Sequence, residues 1–390
     1  MCGISAILSL DGHQASARSS LGEDGYSLLL QELGDSLSYI RHRGPDAKGT
    51  WISDDSRVAL GHVRLSINDT SPRGNQPFPN DALDVIAVVN GEVYNSEELK
   101  CNLLEPYNFK GHSDCEIVIL LYLQYGHGFL SKLNGEFEIC LYDKRSKTFI
   151  AARDRLGVKP LYWIIAAGRL LISAEMKVFP PLQWAPEWDV KSIREDVEDV
   201  SSTSLKHTPD TRSAEEIITG VRDRLMNAAE LRMKTDVPVG IYLSGGIDSS
   251  TIAGMVAHLT KQKAMTTGTA VAESSNIRAF TIEFEGTEFN EAHIAQQTAD
   301  FLGIPLHRAL MTKSQFADRF AETAWHSEHH VPELAPVGKR ALSELAREKG
   351  FKVVLSGEGS DEHFGGYIFF LADFLRESDE TCNPSKWDDG

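Results

Sequence analysis

The segment VPVGIYLSGGIDSS, residues 237–250, decides the fold of the second half of the chain. Its first seven residues are a mostly apolar run, which predicts a buried strand that ends at Leu243. The polar loop SGGIDSS at 244–250 follows, and a helical pattern begins after it. A glycine-rich turn between a strand and a helix presents backbone N–H groups and the positive end of the helix dipole to an anion. We therefore expect a phosphate-binding loop at 244–250.

A second loop of this kind, SGEGSDE at 356–362, also follows an apolar run. Between the two loops, apolar runs alternate with helical patterns at 290–301, 313–325 and 335–349. This alternation predicts a parallel sheet with crossover helices, and ligands of such sheets bind at the carboxyl edge. Asp248 and Asp361 are then candidate Mg²⁺ ligands. Taken alone, the second loop also has the composition of a solvated acidic turn.

The first half of the chain has the pattern of antiparallel sheets. Apolar residues alternate from Cys2 to Leu10, which predicts a strand, and apolar steps of three and four residues at 26–40 predict a helix. Further short apolar runs, separated by turn residues, predict strands at 58–62, 85–90, 137–143, 148–152 and 170–174. We expect a second helix at 114–125 with Ser113 as its N-cap.

The two halves meet in a segment with few residues that could be buried. Three prolines at 180–186 and the polar stretch 201–213 are typical of a linker. Ser213 and Glu216 then form a capping-box pattern that opens an amphipathic helix. We predict a first domain at 2–185, a linker at 186–212 and a second domain at 213–390.

Cys2 directly follows the initiator methionine. Removal of Met1 would leave a thiol and a free α-amine on one residue, and an amine with a pKa near ~7.7–8.0 suits a general base beside a thiol. One residue could thus supply both nucleophile and base. A cysteine at position 2 also occurs by accident and then packs as a small apolar side chain.

Six motifs in order favour the catalytic interpretation: MCGI at 1–4, RHRGPD at 41–46, HVRLSI at 62–67, NGEVYN at 90–95, SDCE at 113–116 and RDRLGVKPLY at 153–162. Together they resemble the class II glutamine amidotransferases, most closely the glutaminase half of glutamine-hydrolysing asparagine synthetase. SGGIDSS is similar to the pyrophosphate loop (PP-loop) of ATP pyrophosphatases. The resemblance implies an α+β N-terminal nucleophile domain, an αββα sandwich, followed by an α/β PP-loop domain with a parallel sheet that is incomplete.

The resemblance also implies roles for residues of the first domain. Cys2 attacks glutamine, and the Asn90 side chain and the Gly91 N–H bind the oxyanion that forms. The expected glutamine-binding set is Arg64, Leu65, Ile67, Asn90, Gly91, Glu92 and Asp114. Singly, Asp114 is more often an acid at a helix N-terminus, and an Asn-Gly pair is more often a hairpin turn. We expect the charged clusters at 41–46 and 153–162 to fix loops. The family usually places small or apolar residues where Phe137 and Glu138 stand, so we expect either that Glu138 faces solvent or that it weakens the match to the family.

In the second domain the resemblance implies that ATP is cleaved between its α- and β-phosphates. The expected ATP-binding residues are Leu243, Ser244, Gly245, Gly246, Asp248, Ser249, Ile282, Ser356 and Gly357. Glu358 matches the catalytic carboxylate near the acyl-adenylate, and Asp248 and Asp361 are expected to hold Mg²⁺.

Composition excludes several partners. The net charge of −17, from 39 basic and 56 acidic residues, disfavours nucleic acid as a partner. No apolar stretch reaches the ~20 residues that cross a bilayer, and no secretory signal pattern is present, so we expect a cytoplasmic protein without membrane contact. Five scattered cysteines fit neither a disulfide framework nor a zinc site. A homodimer is one assembly to test.

The combined interpretation is an asparagine synthetase that uses glutamine, aspartate and ATP. Two alternatives stay open: amination of a different carboxylate, and a homologue with glutaminase or binding function only. Family synthetase domains continue well past SGEGSDE, whereas this chain ends about 28 residues after Glu362. On that basis we expect glutaminase activity to survive better than synthesis.

Overall fold

The computed structural model describes residues 1–10, 25–80, 84–187, 211–267, 277–286, 290–328, 334–367 and 370. The chain divides into two compact units. The first comprises Met1–Trp188, Lys234–Val237 and Ala324–His330, and the second comprises Asp189–Met233, Pro238–Thr323 and Val331–Gly390. Residues 188–210 of the predicted linker lie outside the described residues. The predicted domain boundaries stay predictions.

Two antiparallel sheets form the first unit. Its strands are β1 (Gly3–Ser9), β2 (Ala47–Ile52), β3 (Val58–Arg64), β4 (Phe78–Asn80), β5 (Val85–Val93), β6 (Gly135–Asp143), β7 (Thr148–Arg153), β8 (Tyr162–Ala166) and β9 (Arg169–Ser173). One sheet has the order β2-β3-β1-β9-β8 and the other β4-β5-β6-β7. The helices are α1 (Gly25–Tyr39), α2 (Ser96–Cys101) and α3 (Ile117–Tyr125). Four of these elements, β2, β4, β8 and α2, have no counterpart among the predicted elements.

Three apolar clusters show how the first unit is layered. Leu33 and Leu37 of α1 pack on one sheet, and the side chains of α3 pack on the other. Between the sheets lies a third cluster that includes Ile4 of β1, Val88 of β5 and Cys140 of β6. The order is therefore helix, sheet, sheet, helix, and the predicted αββα sandwich is confirmed.

The second predicted helix of the first unit begins later than expected. It starts at Ile117, and Ser113 does not cap it: the Ser113 hydroxyl accepts the N–H of Cys115 instead. The Asp114 carboxylate accepts the N–H of Val93 in β5 at 2.6 Å. Because this bond ties Asp114 to the strand, the 113–116 segment is a turn and the helix follows it.

A four-stranded parallel sheet forms the second unit. Its strands are β10 (Val239–Tyr242), β11 (Arg278–Phe284), β12 (Leu306–Met311) and β13 (Val353–Leu355), in the order β12-β11-β10-β13. The helices are α4 (Ala214–Arg232), α5 (Ile247–Thr267), α6 (Ala292–Leu302), α7 (Lys313–Ser327), α8 (Ala335–Glu348) and α9 (Ser360–Phe364). The residues of α7 from Ala324 onward are assigned to the first unit. The predicted capping box at Ser213 and Glu216 is present at the start of α4. The predicted α/β class is confirmed.

Within the described ranges, none of the helices combines the length and the apolar character that a bilayer crossing requires.

The sequence of β10 explains its central place in the parallel sheet, because Val239 and Ile241 are buried in the apolar core of the second unit. Residues 244–250 and 356–362 both follow neighbouring strands, β10 and β13, which pair in parallel from Val239 with Val353 onward. The two predicted loops therefore lie at one edge of the sheet.

Candidate functional site

The thiol of Cys2 lies at the end of the layer between the two sheets. Side chains alternate between the faces of a strand, so Cys2 continues the row of Ile4 and Ala6, which are fully buried between the sheets. Its Sγ accepts the N–H of Leu65 at 3.3 Å, just beyond β3. The antiparallel pairing of β1 with β3 thus brings the chain terminus onto the predicted glutamine-binding segment.

The environment of Cys2 both opposes and supports ionisation of the thiol. Burial raises the pKa of Cys2, while the Leu65 N–H, the nearby α-amine and the Arg64 guanidinium lower it. Burial also lowers the pKa of the Met1 α-amine to about 6, so an amine in these surroundings is neutral at pH 7 and can accept a proton. The nitrogen of Cys2 itself becomes an amine only when Met1 is removed.

Asn90 lies inside β5 and not in a hairpin turn. Its side chain is 1% exposed and shares a strand face with Val88, which belongs to the layer between the sheets. Cys2 and Asn90 therefore both face this layer, from opposite sheets. The alternative interpretation of Asn90 and Gly91 as a plain turn is wrong.

The N–H of Gly91 points to the edge of β5 that faces away from β6. On this edge the Gln76 side chain accepts the N–H of Val89 and donates to its carbonyl oxygen, and Asp114 accepts the N–H of Val93. The alternation of an antiparallel strand directs the Gly91 N–H to the same side. A Cβ at residue 91, where φ is +155°, would collide with the backbone of β6, so the close approach requires glycine. The geometry is compatible with the predicted oxyanion role.

Glu92 and Asp114 form a half-buried acidic pair beside this edge. Burial and the charge of Asp114 raise the pKa of Glu92 well above its usual range, and burial raises that of Asp114. Asn68 donates a hydrogen bond to the Glu92 carboxylate. A cation beside two close carboxylates is stabilised by both, and the α-ammonium of an amino acid is such a cation. The family resemblance assigns this pair to the α-ammonium of glutamine, and that role stays a prediction.

The family resemblance assigns the Arg64 guanidinium to the α-carboxylate of glutamine, but in the structure this guanidinium is bonded within the protein. The Arg64 side chain is buried, and its two terminal nitrogens donate four hydrogen bonds to the 68–75 loop: to Asn68 O, Asp69 O, Ser71 O and Asn75 Oδ1. The structure thus shows Arg64 shaping the loop, and its binding of glutamine stays a prediction. Leu65 reaches Cys2 through its backbone N–H, while Ile67 is half-buried two residues further on.

Sequence reasoning missed a direct contact between Arg43 and Cys2. The Nε of Arg43 donates to the carbonyl oxygen of Cys2 at 2.9 Å, and Nη1 pairs with Glu175 at 2.9 Å. The cluster at 41–46 was expected to fix loops, and it also fixes the backbone of the nucleophile. Asp154 of the 153–162 segment accepts backbone N–H groups, among them those of Val158 and Lys159, as a loop-fixing residue should.

Glu138 does not face solvent, contrary to the first of the two expectations. It is 0% exposed and lies opposite Asn90 in the β5–β6 pairing. The Asn90 Nδ2 donates to its Oε1 at 2.7 Å. β6 lies between β5 and β7 and beneath a second sheet, so this strand has no solvent face for a charged residue to occupy.

In the second unit, the loop after β10 is held by its own serines. The Ser249 hydroxyl accepts the Ser244 N–H at 3.0 Å, and the Ser244 hydroxyl accepts the Gly246 N–H at 3.1 Å. The Glu291 carboxylate accepts the Gly245 N–H at 3.1 Å. The Gly245 N–H is thus bonded to an anionic group, and binding of phosphate by this loop stays a prediction.

The second loop is in contact with the first. A Cβ at Gly357 would lie 2.7 Å from Ser249 N and 2.8 Å from Asp248 C, so only glycine allows this approach. Glu358 pairs with Lys339 of α8 at 2.9 Å, on the protein surface. Ser356 and Gly357 thus adjoin the first loop, as predicted for a shared site.

The carboxylates predicted to hold Mg²⁺ are those of Asp248 and Asp361. Their chemistry suits the ion, because Mg²⁺ at nucleotide sites takes one or two carboxylates together with phosphate oxygens. Among the described residues, no group of three or more His, Cys, Asp or Glu side chains gathers as a metal site. The ion would take its remaining ligands from ATP and water, and its binding stays a prediction.

Leu243 and Ile282 have structural roles in the sheet. The Leu243 side chain is 1% exposed in the apolar core, so only its backbone is available to a nucleotide. Ile282 is half-buried, and its Cδ1 lies 3.0 Å from the position of a Cβ on Gly338 of α8. Their predicted contact with adenine and ribose stays a prediction.

Comparison with known families agrees with both halves of this geometry. The glutamine amidotransferase domain model matches residues 1–230, and the asparagine synthase model matches residues 220–384. The chain belongs to the asparagine synthetase family of glutamine amidotransferases. Asparagine synthetase 2 of Oryza sativa subsp. japonica, a glutamine-hydrolysing enzyme by name, is 35% identical over 99% of this chain and 63% of its own length.

Other relatives in this family have different names. Amidase chry2 of Gibberella zeae is 43% identical and Amidase chyE of Penicillium rubens is 41% identical, each over 98% of this chain and 61% of its own length. The chain thus spans less than two thirds of the length of these curated relatives. The family is thus established, and the activity of this chain is a separate question.

Proposed function

We propose that this chain is a glutamine-dependent amidotransferase that joins ammonia from glutamine to a carboxylate activated by ATP. The observation that carries the proposal is the arrangement around Cys2. The nucleophile and Asn90 face one buried layer, and the acidic pair of Glu92 and Asp114 lies beside it. These groups meet the needs of glutamine hydrolysis: a thiol, an oxyanion donor and a site for an ammonium group.

In the first half-reaction, the Cys2 sulfur forms a bond to the carboxamide carbon of glutamine. The carbonyl electrons move to oxygen, and the oxyanion is bound by the Asn90 side chain and the Gly91 N–H. The thiol proton passes through the α-amine to the leaving nitrogen, the C–N bond breaks, and ammonia departs. Water then hydrolyses the glutamyl thioester, which releases glutamate and restores the thiol.

In the second half-reaction, an oxygen of the acceptor carboxylate attacks the α-phosphorus of ATP, and pyrophosphate leaves. The loop at 244–250 binds the departing pyrophosphate through its backbone N–H groups. Asp248 and Asp361 are the residues that would hold Mg²⁺, which would supply neutralisation of phosphate charge there. Ammonia then attacks the acyl carbon, and AMP leaves with the former carboxylate oxygen. Glu358 is the carboxylate assigned to this acyl-adenylate.

Aspartate is the acceptor that the asparagine synthetase relatives favour, with asparagine as product. A second candidate is a different carboxylic acid, and the higher identity to relatives named amidases favours it. Both candidates share the glutamine step and the release of AMP and pyrophosphate, so they differ only in the product.

Product analysis separates the candidates. The protein is incubated with glutamine, ATP and Mg²⁺, with and without aspartate, and glutamate, AMP, pyrophosphate and asparagine are measured. Asparagine formed in step with AMP supports aspartate as the acceptor. Glutamate release without aspartate-dependent AMP supports a different carboxylate, which a panel of carboxylic acids then identifies by AMP formation. Absence of glutamate release would contradict the proposed glutamine step.

A further inference from the structure

Glu138 is a buried carboxyl group that the proposed reaction does not use. Its side chain is on the same face of β6 as those of Cys140 and Tyr142, which belong to the apolar layer between the sheets. Its Oε1 accepts the Asn90 amide, and its Oε2 has no hydrogen-bond partner within the described part of the chain. A buried polar atom without a partner is rare and calls for an explanation.

The partner of Glu138 suggests its role. The Asn90 side chain carries two N–H groups on one nitrogen and can rotate about its terminal torsion. The hydrogen bond to Glu138 takes one N–H and fixes this rotation. The second N–H then has one defined direction, which is what a preorganised oxyanion donor requires.

We propose that Glu138 is a positioning residue that orients the Asn90 amide for the oxyanion. This inference rests on the proposed glutamine hydrolysis at Cys2. Glu138 touches neither the thiol nor the substrate in this assignment and acts through Asn90.

The neutral form follows from the surroundings of Glu138. Burial raises its pKa to about 8, although the hydrogen bond from Asn90 and the charges of Arg43 and Lys159 lower it; the charge of Glu175 raises it. A carboxylate behind the donor would repel the developing oxyanion, whereas a neutral acid accepts the amide N–H through its carbonyl oxygen without that repulsion. Glutamine is the isosteric residue that keeps this acceptor and cannot ionise.

The first test compares Glu138→Ala with Glu138→Gln in the full chain. We expect the Ala variant to lower kcat for glutamine hydrolysis roughly 10–100-fold with KM changed less than about threefold, because the oxyanion forms only in the transition state. We expect the Gln variant to retain wild-type kcat at pH 7 and to lose the decline in kcat that ionisation of Glu138 causes near pH 8. Equal loss in both variants, or no loss in the Ala variant, would overturn the proposal.

Alkylation of Cys2 by iodoacetamide is the control for a merely structural role. This displacement attacks a saturated carbon and forms no oxyanion, so the Cys2 alkylation rate should be the same in both variants and in the wild type. Peptide mass spectrometry separates Cys2 from the exposed Cys101. A fall in the alkylation rate that parallels the fall in kcat would show that Glu138 only supports the fold.

A second readout does not need glutamine turnover. In protein labelled with ¹⁵N-asparagine, the Asn90 side-chain signal is assigned by its loss in Asn90→Asp. We expect its proton shift to titrate near pH 8 in the wild type and to lose that titration in Glu138→Gln. If the wild type fails to hydrolyse glutamine but the titration is present, the proposed function fails and the Glu138–Asn90 coupling stands. A signal unaffected by Glu138→Gln would overturn the inference by itself.

Discussion

The two predicted sites of this chain are built in opposite ways. Around Cys2, Asn90 and Glu138 are almost completely buried, and acids there have raised pKa values. Around the 244–250 loop, the serine hydroxyls bond to the loop itself, and Ile247 is 79% exposed. The first site adjoins a buried layer between two sheets, whereas the second is a loop with exposed residues at the edge of a parallel sheet.

The difference indicates where substitutions act. A change near Cys2 disturbs a packed layer, so it affects the chemistry and the free energy of unfolding together. A change in the 244–250 loop alters ligand binding with little effect on folding, because surface substitutions usually stay within about 0.5 kcal/mol. The expected outcomes below test this contrast.

The largest effect is expected from Cys2→Ala. Without the thiol no thioester can form, and we expect glutamine hydrolysis to fall by roughly three orders of magnitude or more. Glutamate release is measured by coupled assay, and ATP-dependent pyrophosphate release with added ammonium serves as the control, which should be unchanged. Glutamine hydrolysis within tenfold of the wild type would contradict the nucleophile assignment, and intact mass shows whether Met1 has been removed.

Asn90→Ala is expected to cause the second-largest loss of glutamine hydrolysis. Loss of one oxyanion donor lowers kcat by about 10²–10³-fold in comparable sites. KM for glutamine should change little, because the donor acts on the charge that develops in the transition state. Steady-state kinetics distinguish this from a binding defect, and a rise in KM with unchanged kcat would assign Asn90 to ground-state binding instead.

Asp248→Ala should produce a smaller effect that is confined to the second unit. We expect Mg²⁺-dependent pyrophosphate release to fall at least roughly tenfold, because the ion loses one of its two carboxylates. Glutaminase activity in the same preparation is the internal control and should be unchanged. Pyrophosphate release equal to the wild type would remove Asp248 from the proposed metal site.

The sequence predicted the elements whose pattern is local. Alternating apolar residues located β1, and the Ser213–Glu216 capping box located the start of α4. Strands β2 and β4 escaped prediction because their sequences lack clear alternation, as in AKGTWI at 47–52. The late start of α3 depends on the bond from the Val93 N–H to Asp114, which no local pattern reveals.

The motifs predicted which residues form the candidate site, but they did not predict the burial of its charged groups. Glu138 illustrates the reason. In β6, whose sequence is GEFEICLYD, Glu136 and Glu138 alternate with Phe137 and Ile139. This alternation is typical of a strand with one solvent-exposed face. Burial of the other face depends on the second sheet, and the bond to Asn90 depends on the β5–β6 register. Both are long-range facts that one strand's sequence does not contain.

A further expected effect concerns stability alone, and it follows from the buried state of Glu138. Burial raises the pKa of Glu138 in the folded chain to about 8, above the ordinary 4.5 of a glutamate. Between these values the folded state binds a proton that the unfolded state has released, so stability falls as pH rises through this window. The slope is at most about 1.4 kcal/mol per pH unit, and it ends above the folded pKa.

Glu138→Gln should remove this slope, because the amide does not titrate. We expect the melting temperature of the variant relative to the wild type to rise steadily from pH 5 to pH 8 in scanning calorimetry, by about 2–4 °C for each kcal/mol. Glu348→Gln, at an exposed position on α8, is the matched control and should show no such trend. Taking the difference between variants cancels the titration of all other groups, provided that they do not contact the mutated site. Parallel curves for wild type and Glu138→Gln would mean that Glu138 is ionised in the folded chain, and the contrast between the buried site and the open loop would then lose its electrostatic basis.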